Sequence, residues 1–128
     1  MFTSKVSEAV EQIRTNFPES VLLAREDGQG GATVRIEAMP LGSPYVQPET
    51  WVGFRVTFQY PYADVYPHFV RPDLARLDGR ALGEAITPST FDGQPALQLS
   101  RRSNQLNPAT DTALIKLLKV MDWLRRRS

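Results

Sequence analysis

The chain has 128 residues, with 15 Lys plus Arg, 14 Asp plus Glu, one His and no Cys. That length suits a single domain, 1–128, with a core of its own, and a formal net charge of +1 gives no electrostatic reason to expect nucleic acid or an anionic membrane as partner. Without cysteine there is no disulfide, thiolate metal site, iron–sulfur cluster or thiol nucleophile, and one His argues against a Ser-His-Asp hydrolase or a multi-His centre, so neither metal nor cofactor is expected.

Residues 3–17 predict an amphipathic helix. Val6, Ala9, Val10, Ile13 and Phe17 recur at helical spacing, Thr3 or Ser4 can cap the start, and Pro18 follows the end. Residues 20–26 predict a strand. Asp27-Gly28-Gln29-Gly30-Gly31 is a turn-forming loop; it lacks the Lys-Ser/Thr and following helix of a phosphate-binding loop. Residues 32–39 alternate, with Ala32, Val34, Ile36 and Ala38 on one face, so the two runs predict a hairpin. After a Pro-rich loop over 40–49, Trp51 to Gln59 predicts a third strand, with Val52, Phe54, Val56 and Phe58 on its apolar face. The strands make an antiparallel meander of three or four members.

Residues 60–72 hold Tyr60, Pro61, Tyr62, Tyr66, Pro67 and Phe69. The prolines exclude a regular central strand, and the aromatics are too dense for a solvated loop, so a rigid segment against the core is expected. Tyr60, Tyr66 and Phe69 are expected to be buried. Asp78-Gly79 and Asp92-Gly93 signal turns. Asn107-Pro108 is expected to open the last helix, with Asn107 as cap, Asp111 in its first turn, and an apolar stripe of Leu114, Leu117, Leu118, Met121 and Leu124. The Arg125-Arg126-Arg127 tail reads as a solvated helix end. No apolar run reaches the roughly 18–20 residues that cross a bilayer. Met1-Phe2-Thr3-Ser4-Lys5 opens no signal peptide, so a cytoplasmic protein is expected.

The fold class is therefore α+β. Three local patterns resemble the ubiquitin-conjugating enzyme (E2)-like family: Phe58-Gln59-Tyr60-Pro61 followed by Val65-Tyr66-Pro67; the run from Thr87-Pro88-Ser89 through Asp92-Gly93 to Leu97-Gln98-Leu99; and Asn107-Pro108 leading to Trp123-Leu124. The resemblance spans nearly the whole chain and implies the ubiquitin-conjugating fold of the compact bacterial E2-like proteins. It also implies a degenerate site. Gln98 stands where the family carries its nucleophilic Cys, and Thr87, Pro88 and Ser89 stand where it carries His-Pro-Asn, so the Asn that supports the oxyanion is missing. The retained Pro88 suggests that the turn is kept.

The resemblance implies a non-catalytic E2 variant. Its partners would be an active E2-like protein, a ubiquitin-like modifier and an activating (E1-like) enzyme. Such a protein works by surface contact; the candidate contacts are Tyr45, Val46, Tyr62, Asp64 and His68. An oxygen nucleophile, Ser100 or Ser89, would need a base, and His68 is the only imidazole. A third reading is a different fold with the same helix–meander–helix order, such as an α+β adaptor or a secretion-chaperone-like domain, and it includes an interaction adaptor related to the RWD-type domains. An RWD-like chain would run a long connection into two helices over 73–106, where an E2-like chain would place Gln98 in an extended, exposed segment before the last helix.

Overall fold

Thr3 and Thr112 begin the two helices of the chain, and both act in the same way. Each lies in extended backbone, and each hydroxyl accepts the third amide that follows it, Val6 N–H at 3.1 Å and Ile115 N–H at 3.1 Å. A computed structural model describes residues 1–127. Its elements are α1 (Ser4–Asn16), β1 (Leu22–Glu26), β2 (Ala32–Pro40), β3 (Glu49–Val56), β4 (His68–Val70), β5 (Ile86–Phe91), β6 (Gln94–Leu99) and α2 (Ala113–Arg125). The strands form one antiparallel sheet in the order β1-β2-β3-β4-β6-β5. The α+β class stands, but the sheet has six strands rather than three or four.

The first half follows its hydrophobic period. Val6, Ala9, Val10 and Ile13 of α1 are buried against Val34 and Ile36 of β2 and Val52, Phe54 and Val56 of β3 in one core cluster. Two positions depart from the alternation. β2 carries an irregularity between Ile36 and Met39, where Ala38 takes a φ of 57°. The bulge exposes Ala38 and turns Met39 into the core. β3 ends at Val56, so Phe58 lies outside the strand and half exposed, rather than on its apolar face.

The second half departs further. Residues 60–67 are irregular, as the prolines require, but His68–Val70 then forms a short, fully buried strand, β4. Beyond it, the chain builds a hairpin, β5–β6, that pairs with β4. Its turn is Asp92-Gly93, both at positive φ (52° and 79°), the geometry that suits a right-twisted two-strand ribbon. Pro88 is tolerated because β5 is the outermost strand. The turn expected at Thr87-Pro88-Ser89 is therefore absent, and those residues lie within β5.

The start of α2 also differs. Asn107–Asp111 forms a separate turn: Asp111 N–H donates to the Asn107 carbonyl at 2.8 Å, and the Asp111 carboxylate accepts Asn107 N–H at 2.8 Å. Asn107 caps that turn and not the helix. Along α2, Lys116 replaces Leu118 on the buried side; Leu118 is 42% exposed. The carboxyl-terminal arginines are partly engaged. Arg125 donates to the Pro40 carbonyl at 2.9 Å and Arg127 to the Leu82 carbonyl at 2.8 Å.

Both helices pack on the same face of the sheet as the main cluster. The opposite face carries no helix. It is occupied by a small cluster of Phe69, Phe91 and Ala96 with Trp51 packed beside it. Arg35 stacks on Trp51 at 4.3 Å and Arg55 on Phe91 at 4.8 Å. Gly53 lies beneath the Phe91 ring, and a Cβ there would fall inside it. This close approach explains a glycine at the centre of β3.

Phe69 is buried as expected, but Tyr60 and Tyr66 are only half-buried. Tyr66 packs under the Arg102 guanidinium at 4.2 Å. Tyr66→Ala is therefore expected to destabilise the protein by about 1–2 kcal/mol, rather than the ~3–5 kcal/mol of a fully buried ring. Chemical denaturation at neutral pH measures the difference.

Candidate functional site

The position matched to the missing thiol is reached through β6. Gln98 lies directly opposite Phe69 of β4 and Thr87 of β5. Side chains alternate along β6, so Leu97 and Leu99 enter the main core while Ala96 joins the aromatic cluster on the helix-free face. Gln98 takes that second direction and is half-buried, and its amide Nε2 donates to Ser100 Oγ at 3.2 Å. The segment is extended, as an E2-like chain requires, but it is an inner strand of the sheet and not an exposed loop. Pairing on both sides explains this, because β4 and β5 satisfy the backbone of β6. Ser89 lies opposite Ala96, two positions along the same hairpin.

An oxygen nucleophile at Ser100 or Ser89 has no hydrogen bond to the imidazole. His68 is fully buried, and neither ring nitrogen has a hydrogen-bond partner. It stacks against Phe54 with ring centroids 5.1 Å apart. Burial, with a smaller push from the Lys116 ammonium, lowers its pKa to about 3. A neutral imidazole bonded to neither serine cannot activate one. His68 is thus a core side chain and not a contact residue, which corrects its place among the candidates.

Of the four other candidates, Tyr45 and Asp64 turn inward and Val46 and Tyr62 stay at the surface. Tyr45 is buried and its hydroxyl donates to the Leu124 carbonyl at 2.8 Å; burial raises its pKa. It fastens the 40s loop to α2 and is not a surface contact. Asp64 is also internal. Its oxygens accept Ser103 N–H and Ser103 Oγ–H, each at 2.7 Å, and the Lys116 ammonium at 2.9 Å on both oxygens. Burial pushes the Asp64 carboxyl up, but the two Ser103 donors and Lys116 together hold it below its ordinary value. Asp64 does not bond to His68, because the segment between them is not helical.

Val46 and Tyr62 remain at the surface, 55% and 79% exposed. Tyr62 stands apart on the Tyr-Pro segment. Val46 belongs to a patch that the sequence did not reveal. Tyr45 and Arg76 form an antiparallel bridge, with Val46 N–H donating to the Ala75 carbonyl at 2.8 Å and Leu77 N–H to the Pro44 carbonyl at 2.9 Å. Tyr45 and Arg76 point inward, so Val46 and Leu77 face solvent, Leu77 being 64% exposed. A pair of apolar side chains on a hydrogen-bonded bridge needs little ordering on contact with a partner. The signal available in the sequence was only the apolar character of Val46 and Leu77; their proximity is a product of the bridge.

The Gly-rich loop offers no anion cradle. Glu26 accepts Gly28 and Gly30 N–H, and Asp27 accepts Gln29 and Gly31 N–H, at 2.8–3.0 Å. Its own carboxylates occupy the donors that a phosphate would need. Among the described residues, no group of three or more His, Asp or Glu is placed to hold a metal ion, and no helix is long and apolar enough to cross a membrane.

In comparisons with known proteins, no family model, no curated protein and no solved structure matches this chain.

Proposed function

We propose that the protein is a non-catalytic, E2-like subunit of a bacterial ubiquitin-like conjugation pathway, acting as scaffold or cofactor for a cysteine-bearing E2-like partner. The observation that carries this reading is the arrangement at β6. The residue matched to the nucleophile is an amide, held by Ser100 in a strand paired on both sides. That setting suits a framework and offers no thioester chemistry. The stretch 73–106 holds a hairpin and no helix, which argues against an RWD-type adaptor, whereas Gln98 lies in an inner strand and not in the exposed segment that the E2 resemblance implies. The ubiquitin-conjugating fold itself is part of the proposal. It rests on the order of α1, meander, Tyr-Pro segment and α2. The Val46–Leu77 patch supplies the exposed apolar surface that a positioning subunit needs.

Co-expression with the products of its neighbouring genes, followed by purification of the chain with whatever it binds, tests this. The expected result is a one-to-one complex with the E2-like partner, a changed rate of transfer by that partner, and no covalent adduct on this chain. Val46→Asp combined with Leu77→Asp is expected to weaken the complex about tenfold or more without lowering the melting temperature, because both side chains are exposed. A modifier adduct on this chain would overturn the non-catalytic reading. Failure to bind any conjugation component would overturn the pathway and leave an RWD-type adaptor.

A further inference from the structure

A cavity of about 260 Å³ opens between the Tyr60–Val65 segment, the connection 101–106 and one flank of α2. Its volume lies just below the roughly 300–1,000 Å³ of small-molecule sites, so its occupant is small. The charges around it do not balance. Four cations, Arg101, Arg102, Lys116 and Lys119, line it with two carboxylates, Asp64 and Asp111.

Both carboxylates are already engaged. Asp64 is held by Lys116 and Ser103, and Asp111 is folded back onto Asn107 N–H. Lys116 is likewise used by Asp64 and Ser103. The other three cations are exposed and, among the described residues, none forms an ion pair. Two of them are nevertheless placed. Arg101 lies over the Trp123 ring at 5.0 Å and Arg102 over Tyr66 at 4.2 Å. Stacking holds the plane of a guanidinium and leaves its N–H edge free to donate to a planar or tetrahedral oxyanion.

Pro61, Leu106, Ile115, Val120 and Trp123 make part of the wall apolar, beside Ser103, Asn104 and Thr112. The Trp123 ring already carries two guanidiniums, Arg101 at 5.0 Å and Arg127 at 4.6 Å, so the apolar surface left to a ligand is that of Pro61, Leu106 and Ile115. An apolar wall beside unpaired guanidiniums suits a ligand with one anionic end and one apolar end. A metal cation does not suit it, because Asp64 is neutralised by Lys116. A nucleic acid strand does not suit it, because the chain as a whole carries a formal net charge of only +1.

We infer that this cavity is a binding site for a small organic oxyanion, a carboxylate or phosphate carried on an apolar body. Arg101, Arg102 and Lys119 take the oxyanion, and the apolar wall of Pro61, Leu106 and Ile115 takes the body. The site does not depend on a role in conjugation.

Trp123 reports on it. The other tryptophan, Trp51, lies on the helix-free face of the sheet, so Trp51→Phe leaves a single fluorophore at the cavity. The probes are phenyl phosphate, benzoate, inorganic phosphate and phenol. Phenyl phosphate or benzoate is expected to change the Trp123 emission saturably, with an affinity that falls as salt rises. Amide shifts in an NMR titration are expected at Ser103 and Thr112. Arg101→Gln combined with Lys119→Gln is expected to weaken binding about tenfold or more, with an unchanged melting temperature. The phosphate and benzoate arms distinguish the two oxyanions. Three results would overturn the inference: no saturable change with either aromatic anion, equal binding of phenol, or unchanged affinity in the doubly substituted protein. Inorganic phosphate binding as tightly as phenyl phosphate would overturn the part given to the apolar wall.

Discussion

Asp64→Ala is expected to destabilise the protein by about 3–5 kcal/mol, measured by urea denaturation at neutral pH. The Lys116 side chain is 10% exposed and that of Asp64 23%, so the pair lies largely out of water. Removing the carboxylate leaves a cation inside α2's packing face with only Ser103 Oγ, at 2.9 Å, to stabilise it. Ser103 loses two acceptors at the same time. Lys116→Met in the same background should restore most of the loss, because an apolar chain of similar length has no charge to solvate. The two changes together are therefore expected to be milder than Asp64→Ala alone. A loss below about 1 kcal/mol for Asp64→Ala would mean that the pair behaves as a solvated surface ion pair, and would remove its role in joining the Tyr-Pro segment, the 101–106 connection and α2.

His68 dominates the expected pH dependence. It is the only histidine, and its folded pKa is pushed down to about 3, against ~6.5 in an unfolded chain. Between those values the unfolded state binds one proton more than the folded state, so stability falls as the pH falls. Over the two units from about pH 6.5 to 4.5, the expected loss is about 2.5 kcal/mol. Phe54 faces the ring, Lys116 opposes its protonation and Asp64 favours it. The carboxyls held low by partners, Glu26, Asp64, Asp78 and Asp92 among them, contribute stability that is lost only below their ordinary values near pH 4. They therefore act outside that window.

His68→Leu should remove the slope. It should also raise stability at neutral pH by about 1–3 kcal/mol, since two buried nitrogens without partners are replaced by carbon. The imidazole resonance of the unsubstituted protein should stay fixed from about pH 8 to 5. A titration midpoint near 6.5 would refute the burial.

The local elements were legible where the chain's own period specified them. α1 carries its apolar stripe and its Thr3 cap within residues 3–17, and β1 to β3 alternate around a glycine loop. β5 and β6 were not legible, because Pro88 and Pro95 argue against strands unless the chain is known to place them at an edge or beside a turn. The start of α2 was misread because Asn107-Pro108 has the composition of a cap, while the structure uses it for a separate turn and leaves Thr112 to cap the helix. The same limit applies to the surface. Val46 was nameable as a contact residue, but Leu77, 31 positions away, joins it only through the Tyr45–Arg76 bridge.

The sequence by itself determined that this chain offers no thiol for chemistry and that its first half is a helix followed by a meander. Those conclusions depend on residue identity and on periods of two and 3.6 residues, which are local. Only the tertiary structure decided that Gln98 lies in an inner strand, that the lone histidine is buried without partners, and that Lys116 is neutralised by Asp64, 52 residues away. The reason is physical: a side chain's burial and charge partner are properties of the elements packed around it, and distant pairing fixes them after the local pattern has been used.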